Sequence, residues 1–168
     1  MTPAHPPLHW RSACGTYSVR IKMPAYRAMK KLAEKHSPVE VGTSLVGAYT
    51  YNGTLAIVHG LAPLTPDSRG WRTSFVRGIT GLHTFFTRVY RRFCGKRHYV
   101  GEWHSHPHAA PSPSPTDDRN QTDIANDQSA ECPECILVII GGDLTHVPDL
   151  SVFVYSRTHG RIDLESAD

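Results

Sequence analysis

His104, His106 and Asp117 are residues whose types and spacing could do chemistry in this chain. In an extended chain, residues i and i+2 point to the same side, so the two imidazoles of His104-Ser105-His106 face one point. The stretch from Pro107 to Pro115 holds four prolines and is therefore stiff. It leads into Ser114-Pro115-Thr116-Asp117, the signature of a helix start, with serine as N-cap, proline at the first helical position and an acid at the third. Asp117 in that first turn can bring a carboxylate back to the histidines. Two histidines and one carboxylate suit zinc and leave a fourth tetrahedral position open for water, as a catalytic site requires. His-x-His alone fits a chance surface pair equally well, and Asp117 alone fits a partner of the helix dipole. A metal assignment needs ligand number and geometry.

These side chains need elements to hold them. Tyr17 to Lys22 alternates enough to be a first strand. Pro24 suits the first turn of a helix, and Tyr26, Met29, Leu32, Ala33 and His36 share one of its faces until Ser37-Pro38 ends it. Val39 to Tyr49 reads as a strand, Asn52-Gly53 as a hairpin turn, and Leu55 to Leu61 as the returning strand. Pro63 to Arg72 is a loop. Ile79, Leu82, Phe86, Val89 and Phe93 recur at the period of a buried helical face, and Cys94-Gly95 closes that helix. His98 to Trp103 is a strand that ends at the histidines. Ile136 to Ile140 is a continuous apolar run, expected of a strand buried on both faces, and Asp149 to Tyr155 alternates as one more. The order predicts an α/β domain, a mixed β-sheet with helices packed on it.

His104-Ser105-His106, seven residues, Ser114, two residues and Asp117 resemble the JAMM motif of the JAB/MPN+ metallopeptidases. That family also carries an upstream glutamate on a strand, and Glu40-Val41-Gly42-Thr43-Ser44-Leu45-Val46-Gly47 is similar to that segment. Element order matches from about Tyr17 to Leu164. The resemblance implies a JAB/MPN, cytidine-deaminase-like sandwich, with zinc (Zn2+) held by His104, His106 and Asp117. It implies that Glu40 moves a proton from the attacking water to the leaving amine, and that Ser114 hydrogen-bonds the oxyanion. Thr43-Ser44 departs from the family, where glycine or a bulkier apolar residue is frequent.

The run from Gly101 to Pro107 resembles free-standing bacterial deconjugating peptidases whose operons also encode E1-like and E2-like enzymes, frequently in anti-phage defence. This implies an isopeptidase that cleaves after the C-terminus of a ubiquitin-like modifier, with the modifier or its conjugate as substrate. An alternative within the fold is trimming of a sulfur-carrier protein. A non-catalytic MPN scaffold is the alternative of another class, and filled ligand positions count against it.

The rest of the chain bounds the function. A length of 168 residues fits one domain. We expect a flexible tail over residues 1–16 and the peptidase domain over 17–168. A net charge of +3 is too weak for a nucleic-acid binder, and the basic cluster Arg88, Arg91, Arg92, Lys96 and Arg97 reads as a solvated helix face. There is no apolar stretch of membrane-spanning length and no apolar core of a signal peptide near the N-terminus; the four cysteines, Cys14, Cys94, Cys132 and Cys135, look unlike a secreted disulfide framework, so the expected home is a reducing cytoplasm. Cys132-Pro133-Glu134-Cys135 lacks the second pair that a zinc ribbon needs and reads as buried thiols. His108 reads as a loop residue, and Trp103 as core.

Overall fold

A computed structural model describes residues 8–50 and 52–167. Eight strands close into a barrel in the order β1 (Leu8–Ser12), β10 (Gly160–Ser166), β9 (Asp149–Ser156), β8 (Glu134–Gly142), β7 (His98–Pro107), β3 (Gly42–Tyr49), β4 (Leu55–Leu61) and β2 (Ser18–Ile21). The β7–β8 and β2–β4 pairs are parallel and the rest antiparallel, which makes the sheet mixed, as expected. A two-stranded hairpin, β5 (Arg69–Gly70) and β6 (Phe75–Val76), lies within the long connection after β4. Three α-helices complete the domain: α1 (Met23–His36), α2 (Leu82–Arg92) and α3 (Pro115–Asn126).

The apolar run over Ile136 to Ile140 is fully buried, because β8 is covered on both faces. Ile136, Val138 and Ile140 join Met29 and Ala33 of α1 in one cluster. Leu137 and Ile139 join Ala125 of α3, Cys132, Cys135 and Phe153 in a second. Each such side chain contributes about 1.5–3 kcal/mol on leaving water, so β8 and its neighbour β7 form the rigid centre of the molecule. Asn52 turns the β3–β4 hairpin as expected, its side-chain oxygen accepting from Thr50 Oγ1 at 2.7 Å and from Thr54 Oγ1 at 3.1 Å.

Three expectations change. The tail expected over residues 1–16 is a strand from Leu8 to Ser12, paired to both β2 and β10, and Trp10 is buried; residues 1–7 lie outside the described residues. The alternation of Leu-His-Trp-Arg-Ser carries this strand, and the prolines and histidines around it mask the pattern. The domain therefore begins before residue 17. The stripe on α2 is only half-covered. Leu82 is buried, but Ile79 precedes the helix and is 72% exposed, while the Phe86 ring meets the Tyr99 ring edge-on at 5.7 Å. The cause is that α2 packs chiefly against the single strand β7, which leaves much of its surface to water. Finally, β7 does not stop at Trp103 but runs on to Pro107, held by parallel pairing with β8 from Gly101↔Ile136 to Pro107↔Gly142.

Candidate metal centre

Because β7 stays extended, Glu102, His104 and His106 alternate to one face and Trp103 and Ser105 to the other. Trp103 is core, and its indole N–H donates to Thr43 Oγ1 at 2.8 Å. Gly42 lies opposite His104 in the β3–β7 register, where a Cβ would collide with the Trp103 carbonyl. Glycine there lets β3 draw close behind the first histidine.

His104 Nε2 and His106 Nε2 stand 3.0 Å apart. Asp117 Oδ1 lies 3.5 Å from His104 Nε2, and Asp117 Oδ2 lies 3.8 Å from His106 Nε2. The three residues offer ligand atoms that all fall within 4.8 Å of one another. Bonds of zinc length, ~2.0–2.1 Å, in a tetrahedron separate neighbouring ligand atoms by about 3.3 Å, so these residues fit a zinc ion. His106 Nδ1–H donates to the Ala110 carbonyl at 3.2 Å, which leaves the Nε2 lone pair facing the centre. Burial, and then the charge on His104, lower the His106 pKa and keep the ring in the neutral form a metal takes.

Asp117 divides its oxygens. Oδ2 accepts from the Ser114 N–H and from Ser114 Oγ, each at 2.7 Å, while the Asp117 N–H donates to Ser114 Oγ at 3.2 Å. This reciprocal capping box confirms Ser114 as the N-cap of α3. Oδ1 is left for the centre. Burial would raise the Asp117 pKa, but hydrogen bonds from His104 and Ser114 overcome it and hold the carboxyl well below its ordinary range.

Glu40 completes the group. It is buried, with Oε1 3.9 Å from His106 Nε2. Burial pushes its pKa up to about 7 against the opposing charge of His104. A carboxyl poised there can take and return a proton near neutral pH. Two features hold it. Ser105, fully buried on the far face of β7, accepts from the Val41 N–H through Oγ at 3.1 Å and donates its own N–H to the Val41 carbonyl at 2.8 Å. The Glu40 N–H donates to the Trp71 carbonyl at 2.8 Å, and Gly70 passes so close that a Cβ would strike the Glu40 carbonyl. The β5–β6 hairpin is thereby pinned beside the carboxylate. His108 is an exposed loop residue at positive φ outside this group.

Sequence reasoning missed a second buried carboxylate. Glu102, buried on the metal face, accepts from Tyr99 OH at 2.9 Å and Ser44 Oγ at 3.1 Å, and pairs with Arg77 Nε at 3.0 Å. Burial pushes the Glu102 pKa up and the Arg77 charge opposes it. The signal was present: Glu102 stands two residues before His104, hence on the same side. A groove of about 400 Å³ runs from His104 and Asp117 between the hairpin and α3, walled by Phe75, Val76 and Ile124.

A sequence profile of prokaryotic homologs of the JAB domain matches residues 22–155. The CD-NTase/cGAS isopeptidase of Enterobacter hormaechei subsp. hoffmannii (strain UCI 50) is 32% identical over 148 residues, which cover 88% of this chain and 81% of that protein. The solution structure of a Desulfitobacterium hafniense protein shares the fold with a TM-score of 0.58, over 87% of this chain and 88% of that one, at 22% identity.

Proposed function

This chain belongs to the prokaryotic JAB family, and from that membership we propose that it is a zinc-dependent isopeptidase. The observation that carries the reading is the meeting of three metal-ligand side chains with a buried carboxylate 3.9 Å away, at the mouth of a groove. A scaffold with no chemistry has no use for that arrangement. A zinc ion held by His104, His106 and Asp117 supplies Lewis acidity that polarises the carbonyl and lowers the pKa of a water.

The chain's own residues do the rest. Glu40 accepts the water's proton as oxygen adds to the scissile carbonyl. It then delivers that proton to the nitrogen as the C–N bond breaks, leaving a free carboxylic acid and an amine. Ser114 sits beside the reacting carbonyl. Its hydroxyl, directed at Asp117 Oδ2 in this structure, stabilises the developing oxyanion once it rotates away from that carboxylate. Ser105 and the Trp71 carbonyl keep Glu40 in place through the backbone around it.

The substrate in this reading is a protein joined through its flexible C-terminus to an amine of another protein. The name of the Enterobacter relative supports a CD-NTase conjugate, and the expectation of a ubiquitin-like modifier follows from the JAMM resemblance. Both support a bacterial conjugation pathway of anti-phage type, in which E1-like and E2-like enzymes are the expected partners. An extended tail suits the site because water, carbonyl and Glu40 must align. Fusing a CD-NTase through its C-terminus to an unrelated protein tests this. A mass shift at the junction is expected from the wild type and not from Glu40→Gln. Equal cleavage of unrelated unstructured peptides would instead indicate a general peptidase.

A further inference from the structure

Arg77 follows β6, and its side chain lines two neighbouring spaces. One is the groove that leads to His104 and Asp117; the other, about 280 Å³, lies between α2 and α3 and shares Ile124 with the first. The guanidinium is half-buried, with its side chain 28% exposed. It carries a fork of N–H donors, yet it makes a single hydrogen bond among the described residues, a long one of 3.4 Å from Nη1 to the Gly78 carbonyl. Its ion pair with Glu102 fixes its position without using up the fork. Directional donors are therefore held in the lining of a groove that also reaches His104 and Asp117.

We infer that Arg77 is a substrate-binding residue, donating to a main-chain carbonyl of the extended tail a few residues before the scissile bond. This rests on the isopeptidase reading. The acceptor is a neutral carbonyl rather than an acidic side chain for two reasons. Glu102 already offsets the Arg77 charge, and Asp117 and Asp123 line the same groove and repel an acid. The walls, Phe75, Val76 and Ile124, are apolar, so the tail residue lodged there is apolar. A guanidinium fork suits such an acceptor because its geometry is set before binding. Sequence alone hides the role, since Arg77 is one of three arginines in the connection between β4 and α2 and its meeting with Glu102 is a tertiary event.

The test crosses two tail lengths with changes at Arg77. The probe is a CD-NTase from the same genome, fused through its C-terminus to a small unrelated protein. A second fusion keeps only the last two residues of that tail before the junction. Binding is read by fluorescence anisotropy with Glu40→Gln enzyme, so the readout does not need turnover. Arg77→Gln is expected to weaken the long-tail fusion about tenfold and to leave the short-tail fusion within twofold. Arg77→Lys retains a cation for Glu102, which keeps the hairpin in place, but loses the fork; it is expected to show the same selective loss with an unchanged melting temperature. Equal losses for both tails mean that Arg77 only supports the fold, and they overturn the inference, as does no loss for either tail or no measurable binding of the long-tail fusion. If binding shows the selective loss but wild-type enzyme never cleaves the fusion, the binding role stands and the isopeptidase reading fails.

Discussion

At the residue scale, two kinds of side chain meet at the centre and should separate on substitution. His104→Ala and Asp117→Ala each remove a proposed ligand, and purified variants should hold well under one zinc per chain by elemental analysis. Glu40→Gln should keep the zinc and lose most hydrolysis, because the proposed metal ligands stay intact and the proposed proton acceptor is gone. Full zinc in both ligand variants would sink the assignment. Ser105 makes a subtler case. It touches no ligand atom, yet it holds the strand beside Glu40 through Val41. Ser105→Ala leaves the buried Val41 N–H without that acceptor, which costs about 1–3 kcal/mol. Turnover should fall with zinc content unchanged; a variant with wild-type stability and rate would show that the bond does not position Glu40.

At the element scale, the long connection between β4 and α2 is tied down by side chains as well as by its hairpin. Asp67 accepts from the Ile79 N–H at 2.9 Å and the Thr80 N–H at 3.1 Å. The Ile79 bond, foremost, depresses its pKa to about 2. A depressed carboxyl contributes stability above its unfolded value of 3.8, and that contribution drains away as pH falls through 3.8 toward 2. Asp67→Asn should therefore be less stable than wild type at pH 7, with the gap closing by pH 2, as read by urea denaturation at both pH values. A constant gap would assign the effect to shape rather than charge. The Cys132 and Cys135 pair lies in the second core cluster with neither thiol exposed. Cys132→Ser with Cys135→Ser should keep one zinc per chain while lowering the melting temperature, since buried hydroxyls replace thiols that pack well. Loss of zinc from the double variant would reveal a second site.

At the scale of the whole molecule, the barrel closes only because β1 sits between β2 and β10. Removing residues 1–12 would bare two strand edges and take away the buried Trp10. Trp10→Ala alone should cost about 3–5 kcal/mol, seen as a lower urea midpoint, and the deletion should aggregate on size-exclusion chromatography. A deletion variant that stayed monomeric with the wild-type midpoint would mean that β1 is dispensable. Among the described residues, no helix is long and apolar enough to cross a membrane.

Much of the centre was legible in the residues themselves. The i, i+2 alternation that aims His104 and His106 together is a property of any extended strand, and the Ser114 to Asp117 capping box is local chemistry. Both can be read because they need no distant partner. The apolar run of β8 was legible for a similar reason, since burial on both faces leaves no polar residue to interrupt it. Glu40 was found by resemblance alone, because its approach to His106 depends on Ser105 reaching across to Val41, 64 residues away in sequence. The same limit hid Glu102 with Arg77, the hairpin that abuts Glu40, and the β1 strand. Each is fixed by a pairing between distant segments, and such pairings are decided by how the sheet closes rather than by any pattern along the chain.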